Sequence, residues 1–492
     1  MKHLKLFTVA IALVLGVQSF AQNNVFLNRD FWSPNTTIAQ VDEKIKAGNN
    51  ISELNNNSFD PVVFAINQEA PNETIKYIIS KGGNDVNRLT HDSRTYIFWA
   101  AYKGNVEVME YLLKKGAKTN ILDSKGYTIL NFAASAGVKN TKVYDICLAN
   151  GANLKKDLNL DGANALLLVA SSDTNFTLIN YFTSKGLDIN SVDANGNGIF
   201  NYVAKTGNID LLKQLVAKGV KSNNQAFVFA AIGTRGKANG LEVYNYLESI
   251  GLNPNITTNE GVTPLQIVAS RNKDISVINY FIEKGLDVNT PDNIGNTAFL
   301  NAANSNSLEV VKHLASFNKN INAQNKKGET ALMLAVERNS PEVVSYLLDN
   351  KANAQLLDAE GNNAAYYLVN AYTSRDKGNF EKKAQILNAH QVNFSAKQAK
   401  ENTLYHVAID KQDLELLKYL EAYNIDINAV NVDGLSVLHM AAMKAKDDVI
   451  LKYLIAKGAD KKTVTGFDES VFDLASENEL LAANRVDINF LK

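Results

Sequence analysis

The chain has 492 residues, of which 46% are hydrophobic and 21% are charged, and its formal net charge is −1. This composition is that of a folded globular chain with enough apolar material for a large core, which excludes an intrinsically disordered protein. The balanced charge gives no electrostatic indication of a nucleic-acid partner or of an anionic membrane surface.

The N-terminal stretch MKHLKLFTVAIALVLGVQSFAQ has the three parts of a secretory signal peptide. Lys2 and Lys5 precede an apolar run of about a dozen residues, and Ser19 and Ala21 supply the small residues of a cleavage site. We therefore predict a signal peptide over residues 1–21. A transmembrane anchor is the alternative interpretation, but the apolar run is short for a bilayer.

The predicted export bears on both localisation and stability. The soluble periplasm is the favoured destination, secretion beyond it is the alternative, and we expect no membrane insertion after the signal is cleaved. The only cysteine is Cys147, and one cysteine cannot form an internal disulfide. An exported chain without disulfides depends on packing alone, so the way its core is built decides the fold.

A recurring glycine sets the period of the chain. Stretches that end in glycine read EVMEYLLKKG at 107–116, LINYFTSKG at 178–186 and IDLLKQLVAKG at 209–219. Gly116, Gly151, Gly186 and Gly219 are 35, 35 and 33 residues apart. A second series follows Asp or Asn and precedes a short apolar segment ending in alanine: Gly126, Gly162, Gly196, Gly261, Gly295, Gly328, Gly361 and Gly434. A period of about 33 with two helices and a turn per unit is typical of a stacked-helix solenoid.

The repeated unit resembles that of the ankyrin-repeat family. TPLQIVA at 263–269 carries the family's Thr-Pro-Leu element, SVLHMAA at 436–442 carries its histidine and alanine pair, and AAYKGNVEVMEYLLKKGAKTN at 100–120 carries most of its second half. The resemblance implies an all-α ankyrin-repeat solenoid of about thirteen helix-turn-helix units with projecting hairpin loops. With the predicted signal peptide, the chain is similar to exported bacterial members of this family.

The resemblance also divides the mature chain. It implies a degenerate or capping repeat at 22–57, an ankyrin repeat array at 58–464 and a C-terminal capping repeat at 465–492. Within the array, four threonines stand where a side-chain oxygen can cap the first helix of a unit: Thr95, Thr263, Thr297 and Thr330. His406 and His439 occupy the family's Thr-x-x-His place, where the resemblance implies that the ring bonds to backbone of the next turn.

Two stretches carry incomplete ligand-binding motifs. DLNLDGANALLL at 157–168 begins like a calcium loop, but Leu168 stands where calcium needs a bidentate carboxylate. GTRGK at 233–237 approaches a phosphate-binding loop, but Ala231 and Ala238 stand where that motif needs Gly and Ser or Thr. Cys147 replaces a core leucine, which predicts a buried, inert thiol. We therefore predict no catalytic residue, no metal, no cofactor and no enzymatic activity.

The first helices carry two series of side chains that bear on binding. The place before the alanines is aromatic in six units: Phe64, Trp99, Phe132, Tyr202, Phe229 and Tyr367. We interpret these rings as packing against the next unit, although the alternative is that some reach the concave surface and anchor a partner. Variable residues follow the alanines, and the resemblance implies that this face touches partners. The predicted protein-binding residues are Trp99, Tyr102, Lys103, Lys205, Arg271, Arg338, Lys411 and Lys444.

These observations predict a protein–protein interaction scaffold, namely an exported ankyrin-repeat adaptor or inhibitor that binds through its concave face and hairpin tips. The expected partner is another protein of unknown identity, nucleic acid is not expected, and we expect a monomer. The alternative is a small-ligand, metal-binding or enzymatic protein whose site lies in the insertions at 233–240 or 370–382.

Overall fold

The computed structural model describes residues 24–492, and within them the chain is built from α-helices. The predicted signal peptide at 1–21 lies outside the described residues. No β-strand forms within residues 24–492, where extended pairing is limited to isolated bridges such as that of Gln324 with Thr330. The all-α prediction is therefore confirmed for this part of the chain.

The described helices follow one another in pairs, each with a short first helix and a second helix. Their bounds are α1 Ile38–Lys46, α2 Pro61–Asn67, α3 Asn72–Ile79, α4 Tyr96–Tyr102, α5 Val106–Lys114, α6 Ile129–Ser135, α7 Lys142–Ala149, α8 Ala165–Ala170, α9 Thr177–Ser184, α10 Ile199–Ala204, α11 Ile209–Ala217, α12 Ala226–Ile232, α13 Leu241–Ser249, α14 Pro264–Arg271, α15 Ile275–Glu283, α16 Ala298–Ser305, α17 Leu308–Ala315, α18 Ala331–Arg338, α19 Pro341–Asp349, α20 Ala364–Asn370, α21 Lys377–Ala389, α22 Leu404–Ile409, α23 Leu414–Leu420, α24 Val437–Lys444, α25 Val449–Ala456, α26 Val471–Glu477 and α27 Glu479–Ala483. Leaving α1 aside, the other 26 of these 27 helices make 13 pairs, with the even-numbered helix first.

The two ends of the described chain are less regular than the pairs. Short 3-10 turns at Val25–Leu27 and Arg29–Phe31 precede α1, and a further turn at Asn489–Leu491 follows α27. The capping roles of residues 22–57 and 465–492 stay predictions.

The predicted threonines begin the first helices. The Thr263 hydroxyl accepts the Gln266 backbone N–H at 3.2 Å, and the Gln266 side chain accepts the Thr263 N–H at 2.6 Å. Thr297 and Thr330 accept in the same way. The cap predicted at Thr95 is wrong, because the Phe98 N–H donates to the Thr95 carbonyl at 3.0 Å instead. The buried Thr95 hydroxyl has no hydrogen-bond partner in the described part of the chain.

The chain divides into two compact units, Met1–Ile199 and Phe200–Lys492, the first of which is described from residue 24. In the first unit the helices α2, α4, α6 and α8 stack in chain order, and in the second the even-numbered helices from α12 to α26 do the same. Alanines such as Ala133 have no exposed surface and let these helices approach closely. Larger side chains such as Phe182 fill the layers, each contributing about 1.5–3 kcal/mol of burial free energy.

Asparagine side chains join neighbouring repeats through backbone carbonyls. Asn306 Nδ2 donates to the carbonyls of Ala269 at 2.8 Å and Asn272 at 2.9 Å, both one repeat earlier. Equivalent bonds are made by Asn272, Asn339 and Asn478. Leaving a buried acceptor unpaired costs about 1–3 kcal/mol, so these bonds hold adjacent repeats in one register.

His406 and His439 have the structural role that the sequence predicts. The Thr403 and Ser436 backbone N–H groups each donate to the Nδ1 atom of the histidine three residues on, at 3.1 Å. The opposite atom, Nε2, therefore carries the proton and donates to the Leu435 or Thr463 carbonyl at 3.0 Å. Burial lowers the pKa of both imidazoles, although the carbonyl contacts oppose that effect.

We expect the stability of the second unit to fall as the pH drops below about 6.5, the ordinary histidine pKa. The lowered folded-state pKa means that the unfolded chain binds more protons in this range, so acid favours unfolding. Gln266 fills the equivalent place in α14 and donates to the Thr290 and Asn296 carbonyls. The H406Q/H439Q variant should keep these bonds and flatten the profile between about pH 7 and 5, measured by urea unfolding. An unchanged slope would contradict the assignment.

Candidate functional site

The predicted contact residues lie at or next to the C-terminal ends of first helices, on a side that we call the first-helix face. Trp99, Tyr102 and Lys103 belong to the end of α4 in the first unit. In the second unit, the ends of α10, α14, α18, α22 and α24 carry Lys205, Arg271, Arg338, Lys411 and Lys444.

In the first unit the face carries an aromatic cluster formed by Phe59, Trp99, Tyr102 and Phe132. The Trp99 ring lies 5.7 Å from Phe59 and 5.9 Å from Phe132, and its Nε1 donates to the Thr90 hydroxyl at 2.8 Å. Trp99 is only 6% exposed, so it supports the cluster from within. Tyr102 stacks on Phe132 at 5.3 Å and is 42% exposed, which makes it the most solvent-exposed ring of the cluster.

Arg94 holds this cluster to two hairpins. Its guanidinium carbon lies 4.0 Å from the Phe132 ring centre, within cation–π range. Its nitrogens reach Asp123 Oδ2 at 2.8 Å and Asp92 Oδ2 at 3.1 Å. The Asp123 side chain has no exposed surface, so the guanidinium neutralises a fully buried carboxylate. Arg94 is absent from the sequence-based prediction, because its place in the hairpin gives no sign of the buried acid one repeat later.

In the second unit two predicted residues, Lys205 and Arg271, lie close enough for their charges to interact, and they form the centre of a basic patch. Burial lowers the pKa of the Lys205 ammonium, and the Arg271 cation lowers it further. Among the residues that the structure describes, no carboxylate oxygen lies within 4.0 Å of either cation. The loop between α12 and α13 adds exposed Arg235 and Lys237, and its Asn239 donates to the Lys205 carbonyl at 3.2 Å. The half-buried rings of Tyr202 and Phe229 lie 5.0 Å apart.

Further along the same unit, an acidic groove of about 450 Å³ lies beside α18 and α20. Its carboxylates are Glu329, Glu337, Asp358 and Glu360, and Tyr366 and Tyr367 form part of its wall. The Tyr367 hydroxyl donates to Asp358 Oδ2 at 2.7 Å. Burial raises the pKa of Tyr366, and the carboxylates of Glu360, Asp358, Glu337 and Asp410 add to that rise. Lys326 and Lys327 stand at the rim of the groove and offset part of its charge.

The remaining predicted cations are bound within the chain. Lys103 pairs with Glu69 at 2.6 Å, and Lys444 pairs with Asp410. Lys411 Nζ donates to the Asn370 carbonyl, while Arg338, 63% exposed, lies 3.5 Å from Glu337. Exposed ion pairs of this kind contribute about 0–1 kcal/mol.

The polar groups of the first-helix face are spread over many repeats. Within residues 24–492 no cluster of three or more His, Cys, Asp or Glu side chains could hold a metal ion. Cys147 is 6% exposed, and burial together with the Asp157 carboxylate raises the pKa of its thiol to about 12. In the same described range, no helix is both long and apolar enough to cross a membrane.

The insertions at 233–240 and 370–382 are the predicted location of the alternative ligand site. Residues 374–376 form a 3-10 turn, and α21 begins at Lys377. The cavity beside this insertion, at Tyr372, Asp376 and Lys383, holds about 20 Å³, which is the size of a water molecule. Residues 233–240 form the loop that carries Arg235 and Lys237.

Comparison with known proteins matches most of the paired helices to one family. A family model described as ankyrin repeats in three copies matches residues 62–157, 228–325 and 299–377. A second model, described as ankyrin repeats in many copies, matches residues 405–455.

Individual relatives are distant and much longer. The chain is 25% identical over 277 residues to the E3 ubiquitin-protein ligase KEG of Arabidopsis thaliana, an alignment covering 52% of this chain and 16% of that protein. It is 29% identical over 139 residues to the putative ankyrin repeat protein FPV244 of fowlpox virus, covering 28% of this chain and 20% of that protein. It is 28% identical over 111 residues to the palmitoyltransferase AKR1 of Saccharomyces cerevisiae, covering 23% of this chain and 14% of that protein. The chain thus spans a fifth or less of these relatives.

Proposed function

The chain belongs to the ankyrin-repeat family, and from this premise we propose that it is an exported adaptor or inhibitor that holds another protein against its first-helix face. The ankyrin repeats make the chain a protein–protein interaction scaffold. Export rests on the N-terminal stretch of the sequence, and the periplasm is its proposed destination. We expect the scaffold to act as a monomer.

The basic patch of the second unit is the observation that carries this proposal. Lys205 and Arg271 repel each other, and Lys205 is in addition partly desolvated. Their neighbours on the face leave them without a carboxylate, whereas Lys103 and Lys444 have one. A partner that brings carboxylates to this patch would relieve the repulsion and gain charge-assisted hydrogen bonds. The acidic groove on the same unit gives the partner a second, oppositely charged contact, which fixes the orientation of binding.

We expect the R271E variant to bind the partner at least about tenfold more weakly than the unmodified chain, because a desolvated contact of like charge replaces an attractive one. The matched control is K213E, which makes the same charge change at an exposed residue of the second helix α11. The chain from residue 22 onwards would be used to capture partners from periplasmic and culture-supernatant fractions. The affinity of each captured protein would then be measured for all three chains.

Binding by R271E relative to K213E can support or refute the proposal. A partner whose binding is lost in R271E and kept in K213E supports it. Equal binding by the two variants, or the absence of any saturable partner in both fractions, would refute a binding role for this patch. Detection of the chain in the cytoplasm alone would refute export separately.

A further inference from the structure

A cavity of about 250 Å³ opens between two neighbouring helix pairs of the first unit, α4/α5 and α6/α7. Its walls are mainly apolar and include Ile97, Met109, Leu130 and Ile146. Asn120 and Leu122 stand at its rim, and both are exposed, which gives access from solvent. None of the eight predicted contact residues lines it, so the cavity is separate from the proposed partner site.

One core position beside the cavity is filled by a smaller residue than in other repeats. Cys147 lies four residues before Gly151, a place that is Leu or Phe in six other units that end in glycine: Leu112, Phe182, Leu215, Leu247, Phe281 and Leu454. Each of those side chains is almost completely buried and fills its layer. Cysteine has two side-chain heavy atoms where leucine has four, so the corresponding layer beside α7 is left underfilled.

The loop that would close the cavity is also different here. Asn87 bridges to the following repeat, donating to the Gly116 carbonyl at 3.1 Å and accepting the Lys118 N–H at 2.8 Å. Asn120, its counterpart one unit later, makes no such bridge within the described residues, and the neighbouring Thr119 hydroxyl donates to the Asn150 carbonyl at 2.8 Å instead. The next loop is one residue longer, since Gly151 and Gly162 are 11 apart where Gly116 and Gly126 are 10 apart. That loop turns on itself instead, with the Asn153 N–H donating to Asp157 Oδ2 at 2.9 Å.

The charge at the wall restricts what the cavity accepts. Asp157 is the only charged side chain among its lining residues, and no Lys or Arg faces it there. One Asp157 oxygen accepts the Asn153 N–H, and the other has no hydrogen bond in the part of the chain that the structure describes. A carboxylate beside an apolar chamber repels anions and attracts a cation whose remaining surface is apolar.

We propose that this cavity binds a hydrophobic amine of about ten heavy atoms, with its apolar body beside Cys147 and its ammonium group at Asp157. The size follows from comparison with engineered apolar cavities of about 150 Å³, which hold benzene. The ammonium group of such a molecule can bind the free oxygen of Asp157, and its apolar body can contact the apolar walls of the cavity. This inference does not depend on the partner-binding role of the first-helix face.

Three probes of nearly equal size test the class of ligand: 2-phenylethylamine, 2-phenylethanol and phenylacetate. Isothermal titration of the mature chain should give the tightest binding for the amine, at least about tenfold weaker binding for the alcohol, and no detectable binding for phenylacetate. D157N should remove the preference for the amine, because asparagine has no negative charge to attract the ammonium group. The asparagine side chain can still accept the Asn153 N–H, so the loop should keep its fold. Equal binding of the three probes, or no binding of the amine at millimolar concentration, would overturn the proposal.

The C147L variant tests the cavity itself. Leucine restores the side chain found elsewhere in the repeat, so we expect amine binding to fall more than about tenfold and the melting temperature to rise by about 2–4 °C. C147A keeps the cavity open and should bind the amine at least as well as the unmodified chain. Amine binding retained by a folded C147L variant, or lost in a folded C147A variant, would show that the ligand lies elsewhere.

Discussion

Replacing Arg94 by alanine is expected to destabilise the first unit by about 3–5 kcal/mol, the cost of removing one partner from a buried ion pair. The Arg94 side chain is 8% exposed, and that of its partner Asp123 is not exposed at all. Without the guanidinium, a buried negative charge would remain beside the Phe132 ring. The loss of the cation–π contact at 4.0 Å adds to the penalty.

Through Asp123, the R94A substitution is expected to destabilise the hairpin before α6 as well as the aromatic cluster. Asp123 Oδ1 accepts the Lys125 and Tyr127 backbone N–H groups and thereby holds the hairpin before α6. If the carboxylate moves to solvent to escape its buried charge, those two bonds weaken and the hairpin loosens. We therefore expect the aromatic cluster and the hairpin to lose order together.

Tryptophan fluorescence can measure this loss in the first unit alone. The chain has two tryptophans, and Trp32 and Trp99 are both buried in that unit. In a urea titration the fluorescence midpoint should move to lower urea, by more than 1 M for a slope of about 1–3 kcal/mol/M. Circular dichroism follows the helices of both units. The urea midpoint of the transition that belongs to the second unit should not change.

Two variants serve as controls for R94A. R94K keeps a cation but loses the planar, two-sided contact with Asp92 and Asp123, so it should recover only part of the stability. R338A removes an arginine that is 63% exposed and should change stability by less than about 1 kcal/mol. A fluorescence midpoint in R94A that matches R338A would show that the buried pair contributes little.

The order of the helices was accessible from the sequence because it depends on the phase of a local pattern. Glycine, alanine and leucine recur at the same places, so each pair could be located without knowing its neighbours. The role of the two buried histidines was implied by the family resemblance, since both stand in its Thr-x-x-His place. The cap at Thr95 failed, since a tight backbone turn onto Phe98 competes there with the hydroxyl, and this competition leaves no trace in the residue type.

Contacts between repeats were harder to predict, although some ion pairs are visible in the sequence as opposite charges one period apart. Lys103 with Glu69 and Lys444 with Asp410 are opposite charges 34 positions apart, which is about one period, and each forms an ion pair. The charge interaction of Lys205 with Arg271 spans two periods, so the spacing of one repeat gives no sign of it. The cavity beside Cys147 depends on whether its neighbours collapse, and a small core residue alone does not decide that.

Substituting alanine for Gly328 is expected to cost more than the same substitution at Gly361, although both glycines have positive φ angles of 76° and 92°. An L-residue in this conformation costs about 1–2 kcal/mol, and that cost should be the whole effect at Gly361, where an added Cβ meets nothing within 4 Å. At Gly328 the added Cβ would collide with the Ala359 backbone nitrogen and would lie 2.8 Å from the Asp358 carbonyl carbon.

The close approach at Gly328 reflects how successive hairpins bind each other. The Ala359 N–H donates to the Lys327 carbonyl at 2.8 Å, which presses the two backbones together beside the acidic groove. Since backbone cannot rotate away as a side chain can, G328A must separate the hairpins, adding about 1–3 kcal/mol to the conformational cost. Urea unfolding followed by circular dichroism would measure both variants, because neither tryptophan reports on this unit. Equal costs for G328A and G361A would mean that the hairpins are free to move apart, and the groove between them could then not be a fixed contact surface.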